Sequence, residues 1–362
     1  MGPIGGLIAG YAILVDFLLA TPAIAFALGS YIHFLYAGIP ILTASIACYA
    51  IFTTINLLGI KESANFSLFV TVIAILGLLI FISVTAPQFK TANFLNNNMP
   101  NGWSGVFAAL PFAVWLYSGI EGVAMVAEEV KDPKKSIPIA YIMGILTLTA
   151  LAVGVMVTAG GITDWQKMTK MDYPLPQAFA IAVGKENEIT KLFAGIGLFG
   201  LIASFHGNIL SYSRQMFALA RSGYLPTFLS KLHPRFLTPH WALIVGALIG
   251  VLAVCSGTTD QLIILSALGV VSVYIISMIS LYLLRINEPT LYRPFKSPFY
   301  PVFPLIALSL SLLCLFAFCW FNPLISALYF SMLGVIIIIF ISLGKHKQNL
   351  TAQSDITIIK NP

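Results

Sequence analysis

The chain has 362 residues, of which 59% are apolar and 9% are charged, and its formal net charge is +6. A soluble domain has about 25% charged residues, so this chain lacks the polar side chains that a soluble surface requires. Apolar runs of about 20 residues, the length that crosses a bilayer as a helix, recur along it. Composition therefore predicts an all-α polytopic membrane protein. It excludes a soluble enzyme, a secreted domain and, because basic clusters of five or more residues are absent, a nucleic-acid-binding protein.

Apolar patterning predicts about ten transmembrane helices, at 4–31, 39–59, 64–84, 105–127, 137–160, 190–221, 240–255, 261–284, 301–320 and 323–343. With a cytoplasmic N-terminus, 14 lysines and arginines fall on the inner side and 5 on the outer side, as the positive-inside rule requires. We therefore expect both termini in the cytoplasm and a multi-pass protein of the bacterial inner membrane. The outer loops 86–101 and 161–188, rich in Asn, Gly, Pro and Thr, are predicted to be irregular.

Three ionisable residues lie near the middle of predicted spans: Asp16 in the first, Glu121 in the fourth and His206 in the sixth. An ionisable side chain there costs roughly 2.5 kcal/mol or more, so such residues usually face a polar cavity. Three at a similar depth predict a site at the midplane. The alternatives are that Asp16 caps a kink at Pro22, that Glu121 bonds a neighbouring helix and that His206 is an interhelical hydrogen-bonding residue.

The segment around Glu121 reads Trp115-Leu-Tyr-Ser-Gly-Ile-Glu-Gly122. Glycine weakens a helix by about 1 kcal/mol relative to alanine, so Gly119 and Gly122 beside Ser118 predict a helix break. Broken backbone inside a membrane is tolerated where it lines a cavity. Many secondary transporters hold substrates and ions with such breaks.

Motifs of a membrane-embedded enzyme are missing from the sequence. HExxH, GxSxG and paired metal ligands do not occur, and Gly184-Lys185-Glu186 lacks the other residues of a phosphate-binding loop. The four cysteines have no metal-ligand spacing: Cys48, Cys255, Cys314 and Cys319. We therefore predict a protein that is not an enzyme and has no metal or cofactor.

Several strings carry a family resemblance: Gly119-Ile-Glu121, residues 127–133, Ser213-Arg214, residues 220–226 and the Pro-rich residues 293–304. With them the chain resembles the amino acid–polyamine–organocation superfamily of secondary transporters. It looks most like the ethanolamine permeases, on residues 2–6, 101–107, 174–176 and 200–207. The likeness extends to about Asn322.

The resemblance implies a leucine-transporter-type fold, which consists of two inverted five-helix repeats and two extra helices. Within one transporter domain, residues 1–343, the resemblance assigns residues 1–85 to a partial first repeat, 103–285 to the second repeat and 300–343 to the extra helices. Residues 344–362 would be a cytoplasmic tail. The first span looks like the family's third helix, so the chain is expected to lack the first two helices at its N-terminus.

The resemblance also implies uptake of ethanolamine, a small organic cation that needs a buried opposite charge. We expect Asp16 to hold the ammonium group and Glu121 to share that role or to exchange a proton. The expected partners of the substrate hydroxyl are Tyr117, Ser118 and the Gly119 backbone, within a site that also includes Ile120. Trp115 is expected to be an aromatic gate, with His206 and Asn208 on the opposite wall.

The sequence is compatible with coupling to H⁺ or Na⁺, with exchange and with facilitated passage. The alternatives are an amino-acid or polyamine permease of the same superfamily and a non-transporting remnant or amine sensor.

Overall fold

The structure is a computed structural model, and it describes residues 1–59, 64–96, 98–125, 130–169, 173–184, 188–256, 259–293 and 295–342. In this part of the chain all the regular structure is helical. The α-helices in chain order are α1 (Gly2–Leu35), α2 (Ile41–Leu57), α3 (Ala64–Thr85), α4 (Thr91–Leu95), α5 (Gly102–Ala108), α6 (Leu110–Trp115), α7 (Gly122–Met125), α8 (Pro133–Ile162), α9 (Trp165–Met168), α10 (Pro174–Val183), α11 (Glu188–Arg221), α12 (His240–Cys255), α13 (Thr259–Asn287), α14 (Val302–Phe321) and α15 (Pro323–Ser342). Part of the 127–133 string and all of the predicted tail 344–362 lie outside the described residues.

Each of the ten predicted spans coincides with helical structure, and the described residues contain seven helices long and apolar enough to cross a membrane. Two of the remaining spans, α2 and α12, are apolar but have only 17 and 16 residues. At 1.5 Å per residue, each is about 25 Å long, slightly less than the hydrocarbon core of a bilayer. The last is the fourth span, which is divided among α5, α6 and α7. The protein is therefore an all-α polytopic membrane protein.

The prediction that the outer loops are irregular is wrong. The first loop contains α4, and the second contains α9 and α10. Pro174 lies in the first turn of α10, where a missing N–H costs nothing. Asp164 caps α9 by accepting a hydrogen bond from the Gln166 amide at 3.0 Å. Proline, one of the residue types that predicted an irregular loop, thus begins a helix at Pro174.

The first helix lies at the centre of the fold, where it packs against α13, α11 and α2. Gly269 brings α13 close to it: a Cβ atom at that position would lie 2.5 Å from the Ala12 carbonyl oxygen and 3.0 Å from the Asp16 amide nitrogen. Glycine is required for such a close backbone approach. The middle of α1, with Asp16, is therefore enclosed by neighbouring helices.

Candidate substrate-binding site

The predicted helix break is confirmed. Helix α6 ends at Trp115, α7 begins at Gly122, and the residues between them form turns. Gly119 has a φ of +97°, a conformation that side-chain-bearing residues rarely adopt. Its amide donates a hydrogen bond of 2.9 Å to Glu121 Oε2. The regular helical hydrogen bonding of the backbone is therefore interrupted at the position that the glycines and the serine predicted.

The Asp16 side chain is 1% exposed and accepts hydrogen bonds from two serine hydroxyls of other segments. Ser118 Oγ, in the break, donates to Asp16 Oδ1 at 2.8 Å, and Ser266 Oγ, on α13, donates to the same oxygen at 2.6 Å. The alternative role as a cap at Pro22 does not match these contacts. The residue next to that proline, Thr21, instead donates its hydroxyl to the Phe17 carbonyl oxygen at 2.6 Å. The Asp16 carboxylate thus links α1, α13 and the broken helix.

Glu121 is partly buried, and its Oε2 atom accepts the Gly119 amide hydrogen bond. Its Oε1 atom is buried without a hydrogen-bond partner in the described structure. Tyr274 of α13 lies close enough to interact with both Glu121 and Asp16, yet its hydroxyl is also buried without a partner in hydrogen-bond geometry. Buried polar atoms in proteins are normally satisfied by protein, water or ligand. The Glu121 oxygen and the Tyr274 hydroxyl are therefore candidate groups for contacting a substrate.

An open cavity of about 310 Å³ adjoins the break, and Ala113, Val114, Tyr117, Ile120 and Tyr274 line it. Ligand sites in proteins start at about 300 Å³, so the cavity has room for a small organic molecule. Except for the two tyrosine hydroxyls, its lining side chains are apolar.

Tyr117 and Trp115 fix the broken segment to its surroundings. The Tyr117 hydroxyl lies 3.0 Å from Thr149 Oγ1 of α8. Trp115 packs against apolar clusters on both sides of α1, and its indole N–H is buried without a hydrogen-bond partner in the described structure. The gating role of Trp115 stays a prediction.

His206 and Asn208 have described contacts away from the two acids. His206, 6% exposed, has its Nδ1 atom 3.4 Å from Asn56 Nδ2 and its ring against Phe52, both on α2. Asn208 bonds the Ser204 carbonyl of its own helix at 2.8 Å. The contacts of His206 match the interhelical alternative. Its role and that of Asn208 in substrate binding stay predictions.

Sequence reasoning missed three residues of α13 at this site: Ser266, Gly269 and Tyr274. Ser266 and Tyr274 are eight residues apart, a spacing that places both on one face of a helix. The sequence signal that could have indicated these residues is a glycine, Gly269, between two polar residues, Ser266 and Tyr274, within an apolar helix. Ser266 and Tyr274 are neutral, so the search for ionisable residues passed over both.

The two acids have no basic counterpart among the residues that the structure describes. The one ion pair found there joins Lys191 and Glu188 on the surface, at 2.9 Å. A buried carboxylate without a cation is costly. The arrangement is therefore suited to a ligand that brings its own positive charge, or to a proton.

A broken helix with buried acids, set among membrane-spanning helices, is typical of a polytopic membrane transporter. The chain belongs to the amino acid permease family, whose sequence model matches residues 1–349. The prediction of the superfamily is thereby confirmed.

Curated relatives support the same assignment. The branched-chain amino acid permease BcaP of Bacillus subtilis is 29% identical over 87% of this chain and 71% of its own length. The methylthioribose transporter of the same organism is 25% identical over 86% of this chain and 71% of its own length. The human cystine/glutamate transporter is 27% identical over 78% of this chain and 58% of its own length. These relatives are named as transporters or permeases, in accord with the prediction that the chain is not an enzyme.

Proposed function

We propose that this protein is a secondary transporter that takes up ethanolamine across the plasma membrane. The observation that carries the proposal is the buried Asp16 carboxylate, which is bonded by two hydroxyls and has no described cation. A primary ammonium group has three donors and one positive charge. Charge-assisted hydrogen bonds to a carboxylate are about twice as strong as neutral ones. The ammonium group of the substrate would therefore be held at Asp16.

Glu121, the second acid of the site, has two functions in this proposal. Among the described residues, the Glu121 Oε1 atom and the Tyr274 hydroxyl are two of the buried polar atoms without a hydrogen-bond partner of good geometry, and both residues interact with Asp16. In the proposal they bond the substrate hydroxyl, and Glu121 also exchanges a proton during transport. Proton coupling fits two neighbouring carboxylates, because one of them can hold a proton while the other binds the cation.

A branched-chain amino acid is the second candidate substrate. The apolar lining of the cavity, from Ala113, Val114 and Ile120, suits an alkyl side chain better than a hydroxyl group. The resemblance to a branched-chain amino acid permease points in the same direction. The amino group would again contact Asp16.

Uptake into proteoliposomes tests both candidates. We expect labelled ethanolamine to accumulate, and unlabelled ethanolamine to compete more strongly than leucine or putrescine. Stronger competition by leucine would favour the second candidate, and stronger competition by putrescine a polyamine permease. Binding without accumulation would indicate an amine sensor and would contradict transport.

A further inference from the structure

The connection between α13 and α14 carries exposed aromatic side chains. We call residues 288–293 and 295–301 of this connection the interfacial loop. Tyr292 is 75% exposed, Phe299 74% and Phe295 52%. Because the helices on both sides are long and apolar enough to cross a membrane, the loop lies where the membrane meets water. Aromatic rings concentrate at that boundary, at the level of the lipid headgroups.

Arg293 holds the backbone of the interfacial loop against the end of α13. Its guanidinium donates to the carbonyl oxygens of Glu288 at 2.7 Å and Leu291 at 2.8 Å, and to those of Leu284 and Pro289 at 3.3 Å. Of these four carbonyls, that of Leu284 belongs to the last turn of α13 and the other three follow the helix. Arg293 therefore attaches residues 288–291 of the loop to the end of α13.

A second set of contacts holds the other end of the loop. The Arg285 guanidinium lies 3.8 Å from the centroid of the Tyr300 ring, a cation–π contact. The Tyr282 hydroxyl donates to the Pro301 carbonyl oxygen at 2.7 Å. Both ends of the loop are thus attached to α13.

Basic side chains outnumber acidic ones around the interfacial loop. Lys296 lies on the loop, and Lys134, in the first turn of α8, places its Nζ atom 5.3 Å from the centroid of the Tyr292 ring. Counting the loop, Arg285 and the start of α8 over the described residues, the cations are Lys134, Lys135, Arg285, Arg293 and Lys296, and the acids are Asp132 and Glu288. Among described residues none of these cations forms an ion pair with a carboxylate. Among these described residues, positive charge therefore exceeds negative charge beside the exposed rings.

We propose that the interfacial loop and the first turn of α8 bind the headgroup of an anionic phospholipid. The Lys134 and Lys296 ammonium groups would contact the lipid phosphate, and the Phe295 and Phe299 rings would lie against the glycerol and upper acyl chain. Exposed rings favour a lipid over a soluble anion, because a free anion gains nothing from apolar surface. A lysine near an anionic membrane surface contributes enough binding energy for about a fivefold change in affinity.

Native mass spectrometry of the purified protein with phosphatidylglycerol and phosphatidylcholine tests this site. We expect the wild type to retain phosphatidylglycerol preferentially. The double variant K134Q/K296Q should bind it about 25-fold more weakly, at roughly fivefold per lysine. The matched control is Lys167→Gln, which removes an exposed lysine of α9, outside this region. Phe295→Ala should weaken retention without changing charge.

Three results would overturn the proposal. The first is equal retention of the two lipids by the wild type. The second is equal loss of phosphatidylglycerol in K134Q/K296Q and in Lys167→Gln. The third is complete displacement of the lipid by inorganic phosphate at a matched concentration, which would indicate a site for a free anion.

Discussion

The Ser118 hydroxyl donates a 2.8 Å hydrogen bond to the Asp16 carboxylate and so joins the break in the fourth span to the buried centre of α1. The two residues are 102 positions apart in the sequence. Movement of the broken segment would change the surroundings of the carboxylate directly. The proposed ammonium site is therefore connected to a part of the backbone that has few helical hydrogen bonds of its own.

Removal of the other hydroxyl at Asp16 tests whether the carboxylate is oriented by its partners. Ser266→Ala deletes the 2.6 Å hydrogen bond from α13. A hydrogen bond to a charged group contributes about 1.5–3 kcal/mol, so we expect substrate uptake to fall by at least about tenfold. Ser277→Ala is the matched control, because Ser277 is an exposed serine of the same helix. An equal effect of both substitutions on uptake would contradict a specific role for Ser266.

The conformation of Gly119 provides a second prediction. Gly119→Ala places a side chain on a residue with φ +97°, a strain of about 1–3 kcal/mol. We expect a lower midpoint of thermal unfolding and a loss of uptake, because the Gly119 amide would no longer be held against Glu121. Gly122→Ala, in the same turn, is the control: its Cβ would meet no atom within 4 Å and its φ is not positive. Comparable thermal midpoints for the two variants would show that the turn does not depend on Gly119.

The close packing between α1 and α13 leads to a third prediction. Gly269→Ala would place a Cβ atom 2.5 Å from the Ala12 carbonyl oxygen, and overpacking of this kind costs about 1–3 kcal/mol. We expect reduced thermal stability and displacement of Ser266 from Asp16. Gly144→Ala, on α8, has open space around the new methyl group and should leave stability unchanged or raise it by up to about 1 kcal/mol. Thermal unfolding of the two variants in the same detergent checks the difference.

The proposed orientation predicts which cysteine reacts from outside the cell. With a cytoplasmic N-terminus, the end of α12 faces outward, and Cys255 at that end is exposed whereas Cys48 is buried. A membrane-impermeant thiol reagent should therefore label intact cells that express the protein, and Cys255→Ser should remove most of the label. Cys48→Ser is the control and should leave labelling unchanged. Labelling of Cys255 only after the cells are opened would reverse the orientation.

Local sequence signals predicted the helix break and the buried acids. The break depends on glycine and serine next to each other, and the depth of Asp16 and Glu121 follows from the length of their spans. Both are properties of a short segment of chain. The long helices follow from apolar runs in the same way.

Contacts between distant segments could not be predicted in this way. Ser266 is 250 positions from Asp16, and its approach depends on Gly269, which nothing in the local pattern connects with α1. The position of His206 beside Asn56 and Phe52 also depends on how α11 packs against α2. Helix α10 was missed because proline occurs both at the first position of a helix and in irregular loops.

The central claim is that Asp16 holds a substrate ammonium group, and equilibrium binding of labelled ethanolamine to the purified protein tests it most directly. We predict that Asp16→Asn weakens binding at least tenfold while the protein remains folded in the membrane. Glu188→Gln, which removes a surface acid paired with Lys191, should bind as the wild type does. Wild-type affinity in Asp16→Asn would contradict the account.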